Sequence, residues 1–439
     1  MPRTVGQHVD NPAAVGTRLR LARERRGLSQ RELSFDGCSY AYISRIESGQ
    51  RTPSMQLLQE FGRRLGVSAR YLATGADAPD TVDLLDEADL ARRLGDEARA
   101  EQFYREISED ATSAPARRAR ANVGLGELAF QSGTFDAAAL LFERALASGA
   151  NDPAGAATSA DRLGRIYALR GEFEKSIAIY EQALTQAETS GDKSEVMRFA
   201  TLLANAVLDA GNLGRAQELL GRALTIAEQV QNPLDRARLW WTQSRLHDSQ
   251  GQPDLAARYA KLALAVLEEE DQTTAAVVVH LLLAYIENER GDADAALESL
   301  QHAEQTISSG GDRFHQALLQ IERARSLLLK GEQEQAASLA MGALPHVLQA
   351  SAIDSGRAQA LLGDVFRELG DRERAQELYE LALETLPSVD SNLVRVYGGL
   401  AALLEEDGRE LEALELLKQA MKLRQTRRAS LESSTPRIS

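Results

Sequence analysis

From about residue 83 onward the apolar positions repeat as a phrase, not as one uniform stripe. A helical run ends at a glycine, a few polar residues follow, and a second helical run carries alanine at fixed places. The turn glycines are Gly95, Gly133, Gly171, Gly211, Gly251, Gly291, Gly331, Gly370 and Gly408, separated by 38 to 40 residues. Five residues past each glycine stands Ala100, Ala138, Ser176, Ala216, Ala256, Ala296, Ala336, Ala375 or Ala413. Twelve past, from the second repeat on, stands Ala145, Ala183, Ala223, Ala263, Ala303, Ala343, Ala382 or Ala420. Gly126, Gly164, Ala204, Ala284 and Gly363 lie seven before. Small residues at such offsets let two antiparallel helices approach closely, and a period of this length marks stacked hairpins that share one continuous core. The spacing predicts nine hairpins over residues 83–424, the first a degenerate cap with Ile107 in an alanine position.

Residues 15–75 follow a different pattern, five short helices with tight turns. Val15 to Arg26 forms the first, stopped by Gly27. Ser29-Gln30-Arg31-Glu32 is a capping box that opens the second. Ser39 caps a third, Tyr40 to Ser48, and Pro53 opens a fourth with Leu57, Leu58, Phe61 and Leu65 as its apolar stripe. A short fifth ends at Gly75. The chain is therefore expected to be all-α: a flexible arm over 1–14, a head over 15–75, a linker over 76–82, the array over 83–424 and a disordered tail over 425–439.

Composition and charge add a direction to this picture. Of the 439 residues 44% are hydrophobic and only 5% aromatic, which suits helices packed through small side chains. The net charge of −15 conceals a split, +6 over residues 1–75 against −21 over the rest, and a basic head on an acidic body points the head at a polyanion. One cysteine, Cys38, rules out an internal disulfide and fits a reducing compartment. It reads as a small buried hydrophobe. The expected location is cytoplasmic: the N-terminus lacks the apolar run of a signal peptide, and no stretch approaches 18 consecutive apolar residues. The six histidines are scattered, Gly191-Asp192-Lys193-Ser194 lacks the glycine spacing of a P-loop, and no acid/base pair is recognisable. No catalytic site, metal or cofactor is expected.

Leu28-Ser29-Gln30-x-x-Leu33, Ile43-Ser44-Arg45-Ile46-Glu47-x-Gly49, Pro53 and Leu65-Gly66-Val67 together resemble the XRE/Cro-type helix-turn-helix family. The interval from Leu33 to Ile43 is one residue shorter than usual, which shortens the second helix. The resemblance implies that the third helix enters the major groove, with Ser39, Tyr40, Ala41 and Arg45 at base edges and Gln30 anchoring to the backbone or an adjacent base. Arg45 suits guanine O6 and N7, a phosphate contact being the alternative. Ser48, Arg51 and Thr52 are candidates for phosphate contacts, and Arg23 and Glu47 for a structural ion pair.

The array resembles tetratricopeptide (TPR) repeats, with a longer period that predicts an elongated second helix in each hairpin. In TPR proteins the positions thirteen, ten, six and three before the turn glycine face a concave groove. Here that face carries Arg165, Arg198, Asn205, Arg238, Trp241, Arg245 and Tyr285, a set suited to a peptide or an acidic protein segment. The alternative is that these arginines pair with carboxylates of neighbouring repeats. Head and array together resemble bacterial peptide-pheromone-receptor regulators, which implies a homodimer on a two-fold operator in double-stranded DNA, sensing a peptide or protein effector. A DNA-tethered interaction scaffold with no small effector is the other reading.

Overall fold

The computed structural model describes residues 12–35, 38–75, 84–148, 152–270, 272–307, 313–347, 352–388 and 390–434. The expected linker, the first eleven residues of the expected arm and residues 435–439 of the expected tail lie outside them. Among the described residues every named element is an α-helix, so the fold is all-α. Two compact units are distinguished, residues 1–156 and 157–439.

The head holds α1 (Pro12–Arg25), α2 (Tyr40–Glu47), α3 (Met55–Leu65) and α4 (Ala69–Thr74). Its core gathers Leu19, Leu33, Ile43, Ile46, Leu58, Phe61 and Leu72, all fully buried or nearly so. The second of the five expected helices is condensed to one turn, in which Leu33 N donates to Ser29 O at 3.1 Å. The capping box is nonetheless complete: Glu32 N donates to Ser29 Oγ at 3.2 Å, and Ser29 N to Glu32 Oε2 at 2.7 Å. The short interval explains the condensation. Phe35 and Cys38 exchange backbone bonds of 3.1 and 2.8 Å, which turns the chain sharply into α2. Phe35 then packs edge-on to Phe61, centroids 5.8 Å apart, and Cys38 is buried in the same core, where burial raises its thiol pKa. Arginines also hold the head together: Arg18 donates to the carbonyls of Leu72 and Ala73, and Arg26 to that of Leu65. Each supplies a donor to helix carbonyls that lack an intrahelical partner.

Nine hairpins follow: α5 (Leu84–Arg93) with α6 (Glu97–Glu109), α7 (Pro115–Gln131) with α8 (Phe135–Ala147), α9 (Pro153–Leu169) with α10 (Phe173–Ser190), α11 (Lys193–Asp209) with α12 (Leu213–Ala227), α13 (Pro233–Ser249) with α14 (Pro253–Glu269), α15 (Thr273–Glu289) with α16 (Ala293–Thr306), α17 (Arg313–Leu329) with α18 (Gln333–Val347), α19 (Ala352–Glu368) with α20 (Arg372–Thr385), and α21 (Asn392–Glu406) with α22 (Glu410–Ser434). Every turn glycine adopts positive φ, between 70° and 82°. The next residue can then begin a new helix, and Asp96, Asn212, Asp292 and Asp371 cap theirs by accepting from the third amide.

The nine residues five past the glycines are completely buried. Where serine replaces alanine, Ser176 Oγ donates to Gly164 O at 2.8 Å, so the added hydroxyl is satisfied. The glycines seven before the turn answer to aromatics. A Cβ on Gly126 would lie 2.7 Å from the Phe142 ring, on Gly164 2.3 Å from that of Tyr180, and on Gly363 2.7 Å from that of Tyr379.

Two expectations differ from the structure. The extra length is not confined to the second helices: the first helices α7, α9, α11, α13, α15, α17 and α19 are each 17 residues long. Residues 425–434 are helical, because nothing between Ala413 and Ser434 in α22 breaks the helix. Pro436 is the first breaker after it.

Within the second unit the superhelix closes on itself. α22 packs alongside α12. Phe173, at the start of α10, joins the apolar cluster of α17 to α21. Arg357 of α19 reaches Asp209 of α11 at 3.0 Å, and Arg395 of α21 reaches Glu289 of α15 at 2.8 Å.

Candidate functional site

Two places concentrate functional chemistry, the outer face of α2 and the interior of the second unit. On α2, Ile43, Ile46 and Glu47 are buried, which leaves Ser39, Tyr40, Ser44, Arg45 and Ser48 exposed along the opposite face. Ser39 caps the helix, its Oγ accepting from Tyr42 N at 3.3 Å. The face is anchored from beneath. Glu47 accepts from Arg23 Nε at 2.7 Å and Nη2 at 2.9 Å, a buried bidentate pair that fixes α2 against α1.

Gln30 is drawn into that pair, donating from Nε2 to Glu47 Oε2 at 2.7 Å, so its amide supports α2 from the side. Ser48 Oγ donates to Arg45 O at 3.1 Å. Ala41 is half-buried, and Arg51 and Thr52 are exposed just beyond the helix. No ion pair engages Arg45 or Arg51 among the described residues. Ser44 escaped the sequence reading; its place four residues after Tyr40, on a helix with Ile43 and Ile46 inward, was the available signal. Arg31 was also missed, its guanidinium lying over the Tyr40 ring at 5.2 Å.

The interior of the second unit is charged and mostly self-paired. Arg165 Nε meets Asp161 Oδ1 at 2.7 Å, and Arg198 meets Asp161 Oδ2 at 3.1 Å and Glu195 at 2.9 Å. Arg238 reaches Asp235 at 3.3 Å. Asn205 spends both ends of its amide on neighbours, donating to Thr242 Oγ1 at 2.9 Å and accepting from Arg245 Nη1 at 2.7 Å. Arg245 Nη2 also donates to Asp209 at 2.9 Å. Trp241 is half-buried against the apolar cluster that includes Trp240 and Tyr285. The Tyr285 ring lies under Arg325 and Arg395, 5.4 and 5.9 Å from its centroid, and burial raises its phenol to about 12.

Burial by itself would raise the carboxyls of Asp161, Asp209 and Glu289. The arginines beside each outweigh it and hold all three below the usual carboxylate range. Asp248 behaves oppositely. Burial and then the charge of Glu289 raise it to about 6, against partial relief from Arg245 and Arg395.

Two cavities open along the seam where the superhelix closes. The larger, about 1050 Å³, is bordered by Asp248, Tyr285, Glu289, Asp364, Arg395 and Gly398, among others. The smaller, about 180 Å³, is bordered by Asp209, Arg245, Asp248, Tyr285, Arg357 and Asp390. Of the groove residues expected from sequence these walls bring together Arg245 and Tyr285; Arg165, Arg198, Asn205, Arg238 and Trp241 border neither. Arg395 was missed, although it stands thirteen before Gly408, in the register that defined the groove face. Among the described residues no group of three His, Cys, Asp or Glu side chains is placed to hold a metal, and no helix is long and apolar enough to cross a membrane.

Comparison with known proteins agrees with this layout. Residues 19–72 match the helix-turn-helix family, residues 119–354 the MalT-like TPR region and residues 354–426 the tetratricopeptide repeat family. Cellulose synthase operon protein C of Xanthomonas axonopodis pv. citri (strain 306) is 28% identical over 319 residues, 70% of this chain, and the match spans only 19% of that protein's length. Among solved structures, a Rap protein complexed with Competence and Sporulation Factor covers 85% of this chain and 98% of its own, at 17% identity and a TM-score of 0.56. Bacillus thuringiensis PlcR in complex with the peptide PapR7 and DNA covers 61% of this chain and 99% of its own, at 17% identity and a TM-score of 0.37. The chain carries an XRE-type helix-turn-helix head and, through a match longer than half its length, belongs to the MalT-like TPR family.

Proposed function

We propose that the protein is a sequence-specific DNA-binding transcriptional regulator whose repeat array senses a peptide or protein effector and joins two copies of the chain. The observation that carries the DNA-binding half is the α2 face. Ser39, Tyr40, Ala41, Ser44 and Arg45 project from a helix fixed by a buried ion pair, flanked by Ser48, Arg51 and Thr52 for phosphate contacts. Arg45 and Arg51 keep their hydration and counter-ions until a phosphate or base displaces them, which favours binding at low salt. Selection of bound duplexes from a random pool with the full chain tests this. One enriched motif with two-fold symmetry is the expected result, and unselected binding would oppose it.

The sensing half is supported by the seam cavity and by the Rap fold likeness, since that Rap protein is complexed with a factor. Arg165, Arg198 and Arg238 already have carboxylate partners. They also border neither cavity, so effector contacts are assigned to the cavity walls, which include Tyr285 and the Asp209-paired Arg245.

Pairing of two chains is supported by α22. Leu411, Leu414, Leu417 and Met421 are 84, 49, 36 and 58% exposed along one face, while Ala413 and Ala420 on the other are buried. Glu410 opens the exposed face and Lys422 closes it, so two antiparallel copies would set apolar against apolar and acid against base. Light scattering on Leu414→Asp/Met421→Asp is expected to report half the mass of the wild type.

A further inference from the structure

Arg245, Arg325, Arg357 and Arg395 of the interior are paired with carboxylates, and Arg424 on the wall of the larger cavity is exposed to solvent; the half-buried charge left without a partner is an acid. Among the described residues no hydrogen bond or ion pair reaches the side chain of Asp248. It lies three residues before Gly251, on the groove face of α13, and borders both seam cavities. Glu289, Tyr285, Arg245 and Arg395 surround it electrostatically. Both arginines are committed elsewhere, Arg245 to Asn205 and Asp209, Arg395 to Asp364, Glu289 and Tyr285. A half-buried carboxylate facing a second carboxylate disfavours the empty state, and a ligand cation is what it lacks.

The walls agree with an extended peptide. Leu213, Pro253 and Val394 are apolar, Ser249, Gln250, Ser391 and Asn392 are neutral and polar, and the volume of about 1050 Å³ is at the upper end of ordinary ligand pockets. Gly398 forms part of the border, and a Cβ there would meet nothing within 4 Å.

We infer that the seam cavity binds a peptide through a cationic group seated on Asp248. This rests on the effector-sensing reading and, of the peptide or acidic protein segment expected from the sequence, takes the peptide. The group is an N-terminal amine or a lysine or arginine side chain.

Three synthetic hexapeptide pools separate these sources, each titrated into the full-length protein with thermal unfolding as readout. One has free N-termini and no Lys or Arg, one is N-acetylated with a single Lys or Arg, and one is N-acetylated without either. One of the first two pools is expected to raise Tm and the third to leave it unchanged. Asp248→Asn is expected to weaken the active pool about thirtyfold or more. Its own ligand-free Tm should equal or exceed the wild type's, since a neutral amide removes the repulsion. Gly398→Leu fills open space on a helix, so it should fold normally and also lose the response. A response equal in wild type and Asp248→Asn overturns the assignment to Asp248 and leaves peptide sensing standing. No response of the wild type to any pool overturns the cavity as a peptide site and, with it, the sensing reading.

Discussion

The head and the interior of the array use arginine in opposite ways. On the DNA-facing side of the head, Arg45 and Arg51 are exposed and hold no acidic partner among the described residues. Inside the array, Arg165, Arg198, Arg245, Arg325, Arg357 and Arg395 each meet at least one carboxylate. An exposed arginine keeps its water and counter-ions and releases them when a phosphate arrives. An interior arginine has already exchanged water for a carboxylate, and a ligand must break that pair to use it. Residue type therefore does not mark a binding surface; the state of pairing does. By that criterion the head is open for an anion, and the half-buried interior of the array is open for a cation at Asp248, with Arg424 exposed on the cavity wall.

Four substitutions probe the contrast, in order of expected effect. Glu47→Ala takes the bidentate partner from the buried Arg23, leaving it the Leu28 carbonyl and a 3.7 Å contact with the exposed Glu24, and should cost about 3–5 kcal/mol. Loss of hydrogen-exchange protection confined to residues 12–74 would show that the pair serves the head alone. Asp209→Asn leaves Arg245 and Arg357 facing each other across the seam, at a cost of about 2–4 kcal/mol. The Asp209 carboxyl is held below its ordinary range, so its stabilisation is present at neutral pH and begins to be lost only as pH falls below about 4. Urea midpoints measured from pH 7 to pH 3 should therefore differ most at pH 7 and draw closer for wild type and variant below pH 4.

Asp248→Asn should act with the opposite sign. Its raised carboxyl means that the folded chain takes up a proton more readily than the unfolded one, so ionisation destabilises above pH 6 and is relieved toward pH 4. The variant should gain up to about 2–3 kcal/mol at pH 7–8, with the gain shrinking on acidification. A variant less stable than wild type at pH 8 would mean that Asp248 has a hidden partner. Gly251→Ala is the smallest effect. With φ at 70° and open space around the missing side chain, the cost is conformational, about 1 kcal/mol in a thermal melt.

Much of the fold was legible because hairpin stacking depends on local sizes at fixed offsets. Gly251 and Ala256 announce a turn and a close contact without reference to anything distant. The same offsets reach Arg395, thirteen residues before Gly408, although only Arg245 and Tyr285 of the expected groove residues border the cavities. What could not be read was closure. Arg357 and Asp209 are 148 residues apart in sequence, and no periodic rule links hairpin eight to hairpin four. Pairing followed the same limit: the sequence placed Arg165, Arg198 and Asn205 on the interior face, yet their partners depend on rotamers and superhelical twist. In the head, the missing residue before Ile43 was visible. Its consequence, a helix condensed to one turn with Phe35 packed edge-on to Phe61, depended on how the core refilled.

The central claim, that the free face of α2 reads sequence while the paired arginines elsewhere do not, is tested most directly by repeating the duplex selection with Arg45→Ala in the full chain. The account predicts that the two-fold motif persists but loses preference at one base pair in each half-site, a discrimination of about 1–3 kcal/mol, while binding to unselected DNA changes little. An unchanged motif with weaker binding to every sequence would contradict it and reduce Arg45 to a phosphate contact.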